Sequence, residues 1–348
     1  MRSYTSKKIM HFLSPRGINL ILGFIFCFSA VSLAVDSPSP RIDYAMAYVP
    51  SLHAMVMHGG WSSPRWVPVS EPWIWDSKGW SRWETTGAPA FAHHSMAYDS
   101  KRNVLVVCGR ETPERGGYQT WEFDGSKWER KADIAIGASA QGDIKIAFDG
   151  RRNRIVLYAA HTKGTTETWE YDGKSWQQMK IAHQPLRCDD GALLQYDETL
   201  HKTVLVGEDR TGNGLLSWDG HEWAADGGTG TETWLWDGND WTPVKGQQPL
   251  RATWGGLAFD GARHKTVLLT TRMETWTLGE GGWMKAQPTA SPVPTPNGFF
   301  SMAYDPVKRV IVFFCGESRQ GPAEKDWVYP PTTWMYDGRT WSADGAKH

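Results

Sequence analysis

The chain has 348 residues, among them 21 Trp, 36 Gly and 20 Pro, with 37 basic side chains against 38 acidic ones. Without a clustered excess of Lys and Arg it lacks the electrostatic footprint of a nucleic-acid binder. No long helical periodicity follows residue 35, and so much Gly and Pro dictates short strands and many turns, which excludes a helix bundle or coiled coil.

Residues 1–34 differ in kind from the rest. Arg2, Lys7, Lys8 and Arg16 form a basic head without an acid, and Ile18 to Ala34 is an almost wholly apolar run, the pattern of a secretory signal peptide. Small residues at Ser32 and Ala34 set cleavage after Ala34, and residues 35–40 are expected as a disordered N-terminal end. An uncleaved N-terminal membrane anchor is the alternative, although the run is short for a span of about 20 residues. The expectation is a secreted or periplasmic protein with no membrane span in the mature chain. Loss of the head leaves 33 basic against 38 acidic residues, a net charge of −5. It also leaves Cys108, Cys188 and Cys315, an odd and widely spaced set that is no closed disulfide framework. Buried strand thiols are the simpler reading, with one disulfide among the three left open.

From residue 41 onward the chain repeats itself. The unit ends in a hairpin frame W-x-aromatic-D-G-x-x-W, seen at Trp121 to Trp128, Trp169 to Trp176, Trp234 to Trp241 and Trp334 to Trp341. Looser copies occur at Trp73 to Trp80, Leu216 to Trp223 and Trp276 to Trp283. Alternating large residues mark a half-buried strand, and the Asp-Gly pair suits a tight primed turn. Two further segments precede six of these seven hairpins. One closes on a small-aromatic-acid step such as Met96-Ala97-Tyr98-Asp99 or Ile146-Ala147-Phe148-Asp149; the other is an uninterrupted apolar run such as Val104 to Cys108 or Val310 to Cys315. Apolar runs of that length suit strands covered on both faces.

One unit is therefore four antiparallel strands. Its aspartates recur after 50, 48, 63 and 45 residues (Asp99, Asp149, Asp197, Asp260, Asp305), the period of a β-propeller blade. The long interval holds two hairpins with no room for inner strands between them. We read an all-β propeller of six complete blades plus an extra outer hairpin, either a remnant of a deletion that ends at Gly227-Gly228 or an insertion; seven blades with one degraded is the alternative. The propeller spans residues 41–341, and 342–348 is expected as a disordered tail. With no strand exchanged between the ends, closure of the ring rests on packing between the terminal blades.

Gly59-Gly60 at the end of a second strand and a Trp at the start of each fourth strand make this sequence similar to the Kelch and galactose-oxidase central-domain propellers. The resemblance implies the fold over essentially the whole mature chain. For function it implies little, because such propellers include both enzymes and plain binding scaffolds. A galactose-oxidase-like copper centre would need a Tyr/His site with a Cys-Tyr link and a following domain. Cys108 has no assignable tyrosine partner, so no cofactor, no metal and no catalytic residue is assigned.

The connections after second and fourth strands are long and variable and share one face, where function is expected. Sixteen tryptophans sit on the repeat frame and are expected between blades; Trp61, Trp66, Trp83, Trp254 and Trp327 break it. Trp61, Trp66, Trp254 and Trp327 are candidate binding residues, since aromatics on a rigid rim stack on sugars or partner proteins. Aligned first strands put Asp43, His93, Asp143, Gly191, Trp254 and Phe299 at one position of the channel mouth, with His94 and Asp190 beside it. His93, His94, Asp143 and Asp190 join the candidates, as a polar cluster able to hold a ligand. The expected function is a non-enzymatic, monomeric propeller that binds a protein or glycan through its long-loop face. The alternative is a carbohydrate-active enzyme or a galactose-oxidase-like oxidoreductase that uses the channel-mouth residues.

Overall fold

The computed structural model describes residues 37–62, 67–110, 117–136, 144–161, 165–185, 191–208, 216–218, 223–225, 230–250, 252–292, 300–314, 318–319, 327–328 and 332–344. The chain divides into Met1–Ala34, which lies outside the described residues, and Val35–His348. No helix among the described residues is long and apolar enough to cross a membrane.

Six four-stranded antiparallel sheets follow one another along the chain. Blade 1 is Ala45–Val49, Ala54–His58, Trp73–Asp76 and Gly79–Arg82. Blade 2 is Ala92–Asp99, Val104–Arg110, Tyr118–Phe123 and Trp128–Ile134. Blade 3 is Ile144–Asp149, Arg154–Ala160, Thr166–Tyr171 and Trp176–Gln178. Blade 4 is Leu193–Asp197, Lys202–Glu208, Thr231–Trp236 and Trp241–Pro243. Blade 5 is Gly256–Asp260, Lys265–Leu269, Thr275–Gly279 and Gly282–Lys285. Blade 6 is Met302–Asp305, Val310–Phe314, Thr333–Tyr336 and Trp341–Ala343. Each first strand lies beside the first strands of both neighbouring blades, the sixth beside the first, so the ring is closed and has six blades.

Several details differ from the sequence reading. Arg41–Ile42 is not part of a first strand; it pairs with Trp61–Ser62, which pairs in turn with Val67–Pro68. The hairpin Leu216–Trp218 with Trp223–Ala225 is an excursion between the second and third strands of blade 4, which pair directly with each other. No inner strands accompany that hairpin among the described residues; Gly227-Gly228 lies outside them. A similar short hairpin, Ser318–Arg319 with Trp327–Val328, leaves blade 6 at the same point. The Asp-Gly turns are wider than two residues in the strict repeats: Phe123 pairs with Trp128, leaving a four-residue loop in which the Asp124 carboxylate accepts from the backbone N–H of Ser126 and Lys127. Within it only Gly125 is left-handed (φ 96°), so Asp acts as a cap rather than as a second φ > 0 residue. Ser342 to Asp344, expected in the tail, belong to blade 6, and the Asp344 carboxylate accepts a hydrogen bond from the Trp75 indole (3.0 Å).

The central strands carry the apolar runs because both their faces are covered; Leu105, Val106 and Val107 are completely buried, as are Ile155, Val156 and Leu157. The frame tryptophans fill the space between blades, and they do so in a repeated polar geometry. The indole N–H of the Trp that opens a fourth strand donates to a threonine hydroxyl on the third strand of the preceding blade. The pairs are Trp176 to Thr120 (2.8 Å), Trp241 to Thr168 (2.8 Å), Trp283 to Thr233 (2.8 Å) and Trp341 to Thr275 (2.9 Å). Trp80 to Thr333 (2.7 Å) repeats it across the two ends of the chain. That closure is reinforced by the Tyr44 hydroxyl on the Phe314 carbonyl (2.8 Å) and by Lys308, whose ammonium lies 3.3 Å from the Trp75 ring centroid.

Among the described residues the exception is the junction of blades 1 and 2. Pro72 stands where the other third strands carry Thr, immediately before Trp73 as Thr120 stands before Trp121, with Trp73 opposite Met57 and Trp121 opposite Val107. The buried Trp128 indole N–H accordingly has no partner among the described residues. A buried donor without a partner costs about 1–3 kcal/mol. Thr168→Val should therefore lower unfolding free energy by about 1–3 kcal/mol. Pro72→Thr, which offers Trp128 an acceptor, should raise it by about 1 kcal/mol, both read from denaturant midpoints at unchanged m-value.

Candidate functional site

The up-down-up-down course of each blade sorts the connections onto two ends of the ring. At one end lie the turns between first and second strands and between third and fourth. This end is taken up by structure. Asp99 accepts from the backbone N–H of Lys101 and Arg102, and Arg102 folds back onto Asp99 (2.7 Å) and Glu122 (2.5 Å). Arg152 does the same with Asp149 (2.7 Å) and Glu170 (2.5 Å). Each of these guanidiniums also packs against the hairpin glycine of the next blade, Gly173 or Gly238, where a Cβ would come within 3 Å of it. These first turns close on a left-handed residue, Asn103, Asn153, His201, His264 or Arg309, at φ between 53° and 60°. These clamping acids and arginines are thus neutralised against each other.

At the opposite end the second strands finish and the long connections begin. The axial channel holds a cavity of about 610 Å³ walled by the six first strands, which runs from Asp43 and Trp254 at this end to Pro50, Ser100, Glu198 and Pro306 in the turns of the clamped end. Small residues such as Ala47, Ala97, Ala147 and Ala303 keep it open. Two wall serines serve the ring itself: the Ser95 hydroxyl accepts from the Ile146 N–H (3.0 Å) and Ser301 from Met46 (3.2 Å), each reaching the edge of the next blade. Lys145 also lines the wall, with Asp43 at the mouth.

Of the predicted residues, Asp43, His94, Gly191 and Trp254 are brought to this wall. Asp43, Gly191 and Trp254, aligned in the sequence, share a left-handed backbone (φ 57°, 87° and 61°). For a bulky residue like Trp254 that conformation is strained, and such strain gathers at functional positions. The Trp254 ring rests directly on Gly191, where a Cβ would collide with its Cδ1. His94 is not a rim residue: it is 3% exposed and packs beneath Gly59 and Gly109 against His58. Trp61 is half-buried on its short strand. The His93 and Trp327 backbones lie in strands, but their side chains, like Trp66, Asp143, Asp190 and Phe299, fall outside the described residues. Among the described residues no three His, Cys, Asp or Glu side chains group as metal ligands.

Sequence reasoning passed over a second repeat at this end. A carboxylate or carboxamide two residues before the third-strand Trp accepts its indole N–H: Gln119 for Trp121 (3.0 Å), Glu167 for Trp169 (2.7 Å), Glu232 for Trp234 (2.9 Å) and Glu274 for Trp276 (3.3 Å). Glu167 also lies 2.8 Å from Nε2 of the buried His161, and Glu274 holds Lys285 (2.5 Å). The signal is legible as (E/Q)-T-W in four blades, immediately upstream of the hairpin frame.

The same ring is found in solved structures. SapL1 lectin in complex with α-methyl fucoside aligns over 88% of this chain and 96% of its own, with a TM-score of 0.56 and 11% identity. AofleA from Arthrobotrys oligospora aligns over 88% and 87% (TM-score 0.54, 11% identity). A mutant of the Aleuria aurantia lectin AAL in complex with Fucα1-6GlcNAc aligns over 88% and 97% (TM-score 0.53, 11% identity). At such identity the likeness is one of fold. No family model matches the chain, and no curated protein matches it in sequence.

Cys108, expected from the sequence as a buried strand thiol, is free, completely buried, and 3.9 Å from the Thr120 hydroxyl. Burial pushes its pKa up to about 12, so the nucleophilic thiolate is suppressed. Iodoacetamide at pH 8 should leave Cys108 unmodified in the folded protein and label it fully in denaturant, as peptide mass spectrometry would read; labelling of the native protein at the rate of a free thiol would contradict this environment.

Proposed function

We propose that this chain is an exported, non-enzymatic, Kelch-like propeller that binds carbohydrate through the end of the ring where the second strands finish. One observation carries the choice of end. The opposite end commits Asp and Arg side chains to clamps that pack against the hairpin glycines of the next blade, whereas this end combines the irregular connections with strained Trp254. Structures of the same fold bound to α-methyl fucoside and Fucα1-6GlcNAc support carbohydrate over protein as ligand. The physical fit is sound. A half-buried indole offers a flat apolar face to a pyranose ring, and carboxylates accept pairs of sugar hydroxyls. Trp61 sits on this face with Trp66 and Trp327 in the same connections, and Glu232 with Trp234 joins an acceptor to an aromatic at its edge.

The test is a glycan array on the mature chain followed by titration of the best ligand against a Trp61→Ala/Trp66→Ala/Trp327→Ala variant. Affinity should fall at least tenfold, about 1.4 kcal/mol. Substitution of the exposed Lys101 and Arg151 at the clamped end should leave it unchanged. Unaltered affinity in a folded triple variant would move the ligand elsewhere.

A further inference from the structure

The junction between blades 1 and 2 differs from the other five in two ways and shares a third with some of them. It lacks the tryptophan-threonine bond, because Pro72 replaces Thr and Trp128 is left without an acceptor among the described residues. Like the junctions after blades 4 and 6, whose first turns read Asp197-Glu198-Thr199-Leu200 and Asp305-Pro306-Val307-Lys308, it has no Asp-Arg clamp, since the first turn of blade 1 reads Val49-Pro50-Ser51-Leu52. And it buries two histidines. His58 occupies the second-strand position held elsewhere by Cys108, Tyr158, Val206, Leu269 and Phe314, and His94 the first-strand position held by Tyr44, Ile144, Ala192, Gly255 and Phe300. Where the other blades meet through such residues, blade 1 meets blade 2 through two imidazoles.

The geometry fixes their protonation. His94 Nε2 lies 3.1 Å from the His58 carbonyl oxygen and 3.2 Å from His58 Nδ1. A carbonyl only accepts, so His94 Nε2 carries the proton, and His58 Nδ1 must accept with a lone pair. A proton added to His58 Nδ1 would set N–H against N–H. There is no room to turn away: His58 is completely buried, and a Cβ on Gly59 would already collide with His94 Cε1. Among the described residues the charge acting on His58 is that of Arg41, a cation, which opposes protonation rather than favouring it. Its guanidinium is held by the carbonyls of Ser39, Gly59 and Glu71, while the Glu71 carboxylate is turned to Arg82 (3.9 Å). Blade 2 and the preceding connection contribute Phe91, Gly109 and Trp128 to the surroundings, none of them titratable. Cys108 lies on the other face of its sheet, packed toward blade 3 with Ile144 and Leu157.

We propose that this junction is an acid-opened seam: protonation of the His58–His94 pair separates blades 1 and 2 while the remaining junctions hold. The direction agrees with His58 being drawn down to about 4, mainly by burial and further by Arg41, against a hydrogen bond to the Pro89 backbone. In the unfolded or opened chain His58 takes up its proton near 6.5, so the closed seam has its full stability above that pH and loses it as pH falls toward 4. What holds the seam above that range is apolar, with Trp83 edge-on to Phe123 (4.6 Å) and Leu52 against the same cluster.

Hydrogen exchange with mass spectrometry tests this on the full mature chain. After correction for intrinsic rates, amides of Ala54–His58 and Val104–Arg110 should lose protection at least tenfold between pH 7.5 and 5. Those of Ile155–Ala160 and Lys202–Glu208, at the junction of blades 3 and 4, should keep theirs. His58→Gln retains a polar side chain but cannot take up the proton, and should abolish the acid response. Should it fail to fold, His58→Val with His94→Ile, which installs residues from the equivalent positions of blades 4 and 3, serves the same end. Equal loss of protection at both junctions, or an acid response that survives in the folded variant, overturns the proposal.

Discussion

The ring depends on satisfying a buried indole N–H. A propeller blade cannot cover its own two faces, and the tryptophan that opens each fourth strand is large enough to fill the wedge between neighbours. Filling it buries a donor that water would otherwise satisfy. The threonine one position before the third-strand Trp resolves this, since its side chain points to the other face of the strand and therefore toward the next blade. One short polar contact thus sets the spacing of blade against blade, and Trp80 with Thr333 applies the same rule where the two ends of the chain meet.

That rule relocates the weakness of the ring. In a chain without an exchanged strand the terminal blades are the natural place for failure. Here they are held by the indole bond, by Tyr44 on the Phe314 carbonyl, by Trp75 on Asp344 and by Lys308 stacked on Trp75. The departure falls one junction further on, between blades 1 and 2, where Pro72 cannot supply the hydroxyl and His58 with His94 replaces an apolar contact. The two ends of the ring differ for a related reason. Clamps from Asp99, Asp149 and their arginines tie blade to blade at one end, while the long, variable connections gather at the other.

The hairpin frame, the double-covered central strands and the repeat period were legible in the sequence because each rests on local pattern, the alternation of residues and a fixed interval. The candidate site was less so. His94 was grouped with the channel mouth by alignment, yet strand alternation turns its side chain into the blade junction, as it does those of Ile144 and Phe300 at the same position. Trp254 was selected for breaking the frame, and does lie at the mouth, but its left-handed backbone and its seat on Gly191 have no signature in a single sequence. The Glu-Trp pairs repeat plainly as (E/Q)-T-W, although their meaning needs the side-chain geometry.

By itself the sequence determined the repeating unit and its four strands, since hydrophobic periodicity and turn chemistry act over a few residues, and ring closure then decided six blades over seven. Only the tertiary structure decided which residue of one blade meets which residue of the next. Trp241 and Thr168 are 73 positions apart, His58 and His94 are 36, and no local preference links either pair. Closing the ring brings them together, and the requirement that every buried polar group find a partner then separates the junctions that are tied from the one that is not.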